Sequence, residues 1–321
     1  MALLSLTDLR VHFPVKGGVL QRTVAHCRAV DGVSLTLGKG ETLGLIGESG
    51  CGKTTLGKTI VGLNKPAGGR VEFEGKNITG IRPGNLSRQM QMIFQDPAES
   101  LNPRMTVGML LEEPLLIHGI GSPAERSAKV AALLERVGLS ASAAGKYPFE
   151  FSGGQRQRIG IARALALQPQ LIVCDEPVSA LDVSVQSQVL NLLMKLQREF
   201  CMSYLFISHN LAVVRHISDR IAIMYLGKIV ELGSSEVITT RPRHAYTKAL
   251  LSAIPVPDPA VERKRSLPAG DVPSPINPPP GCAYGHRVKS PRYQESIGRP
   301  FGLREVGPGH WVSECPCCTQ G

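Results

Sequence analysis

The stretch Thr42-Leu43-Gly44-Leu45-Ile46-Gly47-Glu48-Ser49-Gly50-Cys51-Gly52-Lys53-Thr54 decides how the chain is read. Thr42 to Ile46 is a short apolar run of strand length, and a helical pattern follows from Lys53 to about Leu63. Between them, Gly47, Gly50 and Gly52 lead into Lys53 and Thr54, which is a phosphate-loop pattern in its required strand–loop–helix setting. The glycines let consecutive backbone N–H groups turn inward on a polyphosphate, and the helix start adds partial positive charge. Lys53 is expected to reach the terminal phosphates, and Thr54 to offer its hydroxyl to magnesium.

Around this loop the first 240 residues alternate strand-like and helix-like patterns, as in a parallel-sheet α/β protein. Val33–Leu37, Arg70–Glu74, Met90–Phe94, Leu171–Cys174, Ser203–Ile207 and Ile221–Tyr225 read as further strands. Between roughly 100 and 165 no strand pattern occurs. One helix there has a clear start, with Ser122 as N-cap, Pro123 at the first helical position and Glu125 closing a capping box. Val130, Leu133, Leu134 and Val137 mark its apolar face, and Gly138 ends it. After Ile254 nine prolines fall between Pro255 and Pro280, which predicts an extended linker. A boundary is expected near residue 240, followed by an irregular appendage.

Composition narrows the function classes. The longest apolar run, Ile221–Leu226, is far short of the roughly 18 residues of a membrane span, and Asp8 and Arg10 interrupt the apolar start Ala2–Leu6. The expectation is a chain with neither a membrane span nor a secretory signal. Net charge is +10, but it is diffuse: residues 241–321 hold 11 Lys and Arg against 6 Asp and Glu, which is half of the excess. With no block of five like charges, nucleic acid is not the expected partner. Cys27, Cys51, Cys174 and Cys201 are scattered, and no disulfide framework is expected.

Two further motifs carry chemistry. Leu171–Cys174 ends in Asp175-Glu176, a strand delivering two carboxylates to a sheet edge. There Asp175 suits magnesium, and Glu176 can polarise an attacking water. Ser152-Gly153-Gly154-Gln155 offers a hydroxyl and glycine N–H groups at a helix start, the chemistry of a second anion site. One triphosphate does not need two such loops in one chain. The surplus points to a second subunit, whose phosphate loop this one would face.

With these motifs in order, residues 1 to about 255 resemble the nucleotide-binding subunit of an ABC transporter. The resemblance implies an α/β fold: a RecA-like P-loop NTPase core with an ABC helical subdomain at about 96–165 and an antiparallel β N-terminal part. An ATPase domain over 1–240 would be followed by an irregular Pro/Cys-rich extension over 241–321. Gln95 matches the family's glutamine hinge and a magnesium contact. Ser179-Ala180-Leu181-Asp182 matches the loop crossing the dimer interface, and His209 the switch histidine at the γ-phosphate. The implied ATP contacts are Gly47 to Thr55, Ser152 to Gln155 and Asp182, with Thr54, Gln95 and Asp175 toward Mg2+. Phe13 is the best match to the adenine-stacking aromatic, with a buried strand-end phenylalanine as its competing reading.

A narrower resemblance is to importers of dipeptides, oligopeptides and nickel. It rests on Gln95-Asp96-Pro97-Ala98-Glu99-Ser100-Leu101-Asn102-Pro103-Arg104-Met105 and on His244-Ala245-Tyr246-Thr247. It implies two transmembrane permease subunits, a paralogous ATPase subunit forming a heterodimer, and an extracytoplasmic substrate-binding protein. The chain is then expected at the cytoplasmic face of a bacterial inner membrane. Nickel, glutathione or antimicrobial peptides remain alternative cargoes, and a soluble ABC ATPase of DNA repair or translation the remote one. Extensions of this group often carry four cysteines that hold an iron–sulfur cluster. Here Cys282 and Cys315 align, but Val288 and Glu295 take the middle positions. Cys317 and Cys318, adjacent near a frayed terminus, are expected to be poor ligands, so no cluster is expected.

Overall fold

The structure is a computed structural model that describes residues 2–18, 21–96, 100–253 and 270–319. Pro97 to Glu99 and the first part of the proline-rich linker, 254–269, lie outside the described residues. The chain divides into two compact units, one of Met1–Leu37, Thr42–Gly80 and Ser208–Gly321, the other of Gly38–Glu41 and Ile81–Ile207.

The first unit holds two sheets. Strands β1 (Ala2–Gly17), β2 (Arg22–Gly38), β4 (Gly68–Phe73) and β5 (Lys76–Asn77) form a sheet in the order β2-β1-β4-β5. β1 and β4 run antiparallel, with Leu4 opposite Phe73 and Leu6 opposite Val71. Alternate burial along β1 and β4 gives this sheet one apolar face. The β1–β4 register breaks between Thr7 and Arg10, where Asp8 adopts φ 47° and Gly69 opposite it φ 82°. A Cβ on Gly69 would stand 2.2 Å from the Asp8 carbonyl oxygen, so this bulge admits only glycine there. Gly69→Ala is expected to destabilise this sheet by about 3 kcal/mol. Thermal unfolding measures it, and an unchanged midpoint would contradict the close approach.

The second sheet of this unit contains β3 (Thr42–Ile46), β9 (Arg220–Tyr225), β10 (Lys228–Ser234), β12 (His310–Ser313) and β11 (Leu303–Gly307). β3 and β9 are parallel, while β9–β10, β10–β12 and β12–β11 are antiparallel. Its helices are α1 (Lys53–Ile60), α7 (Leu211–Ile217), α8 (Ser235–Thr240), α9 (Ala245–Ser252) and α10 (Ala283–Arg287). The segment expected to be irregular, 241–321, thus contributes α9, α10 and a β11–β12 hairpin that pairs with β10. Val312 is wholly buried, so this hairpin adds apolar surface to a core it could not build alone.

In the second unit β8 (Ser203–Ser208), β7 (Leu171–Asp175) and β6 (Met90–Ile93) pair in parallel in that order. β7 and β8 are buried along their whole length, as is β3 in the first unit. Unbroken apolar burial is the pattern of parallel strands covered on both faces. The helices are α2 (Pro83–Leu86), α3 (Val107–Ile117), α4 (Pro123–Arg136), α5 (Gly153–Leu165) and α6 (Val183–Phe200). The Ser122–Glu125 capping box forms as read from sequence, and Gly138 takes the left-handed turn after the helix at φ 77°. Val130, Leu134 and Val137 of its expected face are buried. Among the described residues no helix is long and apolar enough to cross a membrane.

Candidate functional site

The phosphate-loop residues lie in the first unit, between β3 and α1. Two glycines are demanded by close approach. A Cβ on Gly47 would meet the Met224 carbonyl oxygen at 2.2 Å, and one on Gly52 the Ala29 carbonyl oxygen at 2.0 Å. Gly52 is also the N-cap of α1 at φ 106°, a conformation that side chains rarely adopt. β9 and the following turn therefore shape the loop from outside, and the Gly227 N–H donates to the Cys51 carbonyl at 2.9 Å. Lys53 is buried, and its Nζ donates to the carbonyls of Gly47 at 2.7 Å and Glu48 at 3.0 Å. Burial pushes the Cys51 thiol up, so it stays neutral beside that amine. Ser49 and Gly50 are exposed, and Thr54 and Thr55 half-buried on the first turn of α1.

Glu48 has partners that sequence reading missed. Its N–H donates to Tyr246 Oη at 3.0 Å, and its carboxylate accepts from Arg287 Nη1 at 2.8 and 3.0 Å. His244-Ala245-Tyr246-Thr247, which carries the narrower resemblance, opens a helix, and the His244 ring accepts the Tyr246 N–H as the N-cap of α9. Its contact with the phosphate loop has no local signal.

Phe13 and His209 belong to the same unit. Phe13 is 41% exposed on β1, which excludes the buried strand-end reading. His209 is exposed just after β8, where Asn210 caps α7 through the N–H groups of Ala212 and Val213.

The other candidate residues lie in the second unit. Asp175 is buried at the end of β7. Glu176 follows in a left-handed conformation at φ 46°, its N–H donating to the Ile207 carbonyl at 2.9 Å. A non-glycine residue in that region is strained, and such strain collects at functional positions. Ser179 N–H and Oγ both donate to the Glu176 carbonyl, fixing the turn that follows.

Ser152 is the N-cap of α5, and it forms a full capping box with Gln155. Gln155's side chain is therefore engaged by its own helix start, while Ser152, Gly153 and half-buried Gly154 are presented at the end. A Cβ on Gly154 would meet Val185 at 2.4 Å, so glycine lets the start of α5 pack against α6. Asp182 caps α6, accepting from Val185 N–H at 2.9 Å and Ser184 Oγ at 2.7 Å, and these bonds hold its carboxyl below the usual range. Gln95 is exposed just beyond β6. A groove of about 260 Å3 opens beside it, lined by Phe94, Glu113, Ile117, His118 and Arg163 among others.

The late cysteines differ from expectation. Cys318, expected near a frayed terminus, is buried, as is Cys315, and the Sγ atoms of Cys315 and Cys318 lie 3.3 and 3.5 Å from Cys282 Sγ. Hydrogen bonding with the Cys315 and Cys318 thiols pulls the Cys282 thiol well below its usual range. Cys282, Cys315 and Cys317, and likewise His244, Cys315 and Cys318, each bring three ligand atoms within 4.8 Å of one another, a donor set with the chemistry of a thiophilic metal ion.

Comparison with known proteins agrees with this assembly of motifs. Residues 30–179 match the ABC transporter family, and residues 230–290 the oligopeptide/dipeptide transporter C-terminal region. The chain is 51% identical over 319 residues to the oligopeptide transport ATP-binding protein AppF of Bacillus subtilis, covering 97% of this chain and 96% of that protein. It is 52% identical over 293 residues to OppF, the protein of the same description in Escherichia coli, covering 89% and 88%. Among solved structures it is similar to cbiO1 of Clostridium perfringens, part of an ABC transporter complex, with TM-score 0.64 and 26% identity over 75% of this chain and 92% of that one. It is also similar to a dimeric ATP-binding cassette with ADP and phosphate bound, with TM-score 0.64 and 28% identity over 72% and 98%. A phosphate loop braced by glycines, a carboxylate pair ending a buried strand, a capped signature helix and this C-terminal region place the chain in the ABC transporter family, among the oligopeptide transport ATP-binding proteins.

Proposed function

We propose that this chain is the ATP-hydrolysing subunit that drives import of di- or oligopeptides through separate membrane subunits. The observation that carries the reading is the identity with oligopeptide transport ATP-binding proteins along nearly the whole chain, both motif regions included. The chain is an ABC ATPase, and ATP is its substrate. Lys53 and the loop N–H groups hold the polyphosphate, Phe13 takes the adenine, His209 contacts the γ-phosphate, and Glu176 orients the attacking water. Thr54, Gln95 and Asp175 are the residues proposed toward Mg2+, and each offers the oxygen donor that a hard cation takes. When bound, magnesium neutralises charge on the β- and γ-phosphates.

In this reading Ser152 to Gln155 serve the phosphate loop of a second, related ATPase subunit. An ATPase domain over 1–240 and an extension over 241–321 remain the proposed division. The groove beside Phe94 and Ile117 is the surface for a cytoplasmic helix of a permease, and in the same reading the chain works at the cytoplasmic face of the membrane. An extracytoplasmic binding protein delivers the peptide.

Substituting Ser152 with Arg is expected to lower hydrolysis at the second subunit's site by about tenfold or more. In mixed complexes where only one of the two phosphate loops is intact, phosphate release assigns the loss. A loss confined to this chain's own loop would contradict the exchange. The wider reading is tested by purifying the chain with the subunits it retains, then following ATP-dependent peptide uptake into vesicles. No stimulation of ATP turnover by peptide and its binding protein would overturn it.

A further inference from the structure

Glu48 is an acid inside a loop that collects negative charge, and the partners of its N–H and of its carboxylate both come from the C-terminal region. Tyr246, which accepts its N–H, is fully enclosed, with Tyr225 and Tyr284 packed around its ring at 4.7 and 5.4 Å between centroids. Arg287 has a side chain only 9% exposed, and its two bonds to the Glu48 carboxylate are charge-assisted. The guanidinium is also aimed by Nε, which donates to the Gly270 carbonyl at 3.0 Å. Its helix α10 is fixed at Cys282, whose Sγ accepts the Gly285 N–H and whose own N–H donates to Ser296 Oγ.

On the reading that this chain hydrolyses ATP, we propose that Arg287 is the counter-charge of the phosphate loop and, with Tyr246, a positioning residue for ATP binding. A carboxylate two residues before Gly50 repels a polyphosphate held by the loop, and a partly buried charge is poorly screened. Arg287 cancels that charge and draws the side chain toward the C-terminal region. Tyr246 fixes the peptide before Glu48, and the carbonyl after it receives Lys53. The two contacts hold both ends of Glu48, so the loop keeps its course into Gly50 and Gly52. Only arginine can reach the Glu48 carboxylate through Nη1 while its Nε donates to Gly270.

The test uses the full chain purified with its retained subunits, measuring ATP turnover and equilibrium binding of a fluorescent ATP analogue in parallel. Arg287→Met is expected to raise KM and Kd about tenfold, with kcat changed less than about twofold. Adding Glu48→Gln to that variant removes the uncompensated charge and is expected to bring both constants back to within about threefold of the unsubstituted protein. Arg287→Lys keeps the charge and is expected to show only part of the loss. Should Arg287→Met fold poorly, Tyr246→Phe, which removes one hydroxyl, is expected to raise Kd about threefold.

Unchanged Kd in Arg287→Met, or losses that simply add in the double variant, would overturn the proposal and leave only a structural tether. Absent turnover in the unsubstituted chain would sink the ATPase reading instead. The binding arm still decides the role of Arg287 in that case.

Discussion

Glu176→Gln is expected to reduce ATP turnover by about a thousandfold while ATP binding stays within about threefold. The amide keeps the size and left-handed backbone of Glu176 but cannot accept a proton or polarise water as a carboxylate does. The neighbouring Asp175 is buried at the end of β7 and is left untouched by the change. Because Ser152 to Gln155 serve the second subunit's phosphate loop in the proposed function, ATP that is bound but not hydrolysed should hold the two subunits together, and the variant should accumulate as an ATP-bound dimer. Single-turnover phosphate release, with gel filtration in ATP, reads both effects. Turnover within tenfold of the unsubstituted protein would remove Glu176 from the reaction.

Gly52→Ala is expected to weaken ATP binding by about a hundredfold or more and to lower stability by about 3 kcal/mol. The added methyl would stand 2.0 Å from the Ala29 carbonyl and 3.0 Å from Met224 Cε at a backbone φ of 106°. The obstacle is main chain, so no rotamer change relieves it. The start of α1 must shift, and with it the N–H groups of Lys53 and Thr54. Nucleotide binding by calorimetry, together with thermal unfolding, separates the two losses. Wild-type affinity would show that the loop tolerates a left-handed alanine.

What the sequence revealed follows the range of the forces involved. The Ser122–Glu125 and Ser152–Gln155 boxes are closed by residues three apart, so they are legible locally. β3, β7 and β8 announce themselves because burial on both faces leaves no polar interruption. The Asp8–Gly69 bulge joins strands far apart in sequence, and its mark, an acid opposite a glycine, looks like an ordinary turn. The β11–β12 hairpin is likewise hidden, because its short strands gain their apolar partner only from β10. Asp182 shows a different limit: the motif match that implied a nucleotide contact did not convey that the same carboxylate caps α6. The Glu48–Arg287 pair spans 239 positions, and neither residue stands out among its neighbours.

The pairing of β12 with β10 also bears on how the chain leaves the ribosome. β3, β9 and β10 can assemble once residue 234 has emerged, but β10 then shows an open edge at Glu231 and Leu232. That edge is a template for unwanted pairing until residues 303–313 arrive to cover it. Arg287 reaches Glu48 from the same late stretch. A nascent or truncated chain is therefore expected to be both adhesive and weak for ATP, so incomplete copies would draw chaperones before they could compete for a place in the transporter.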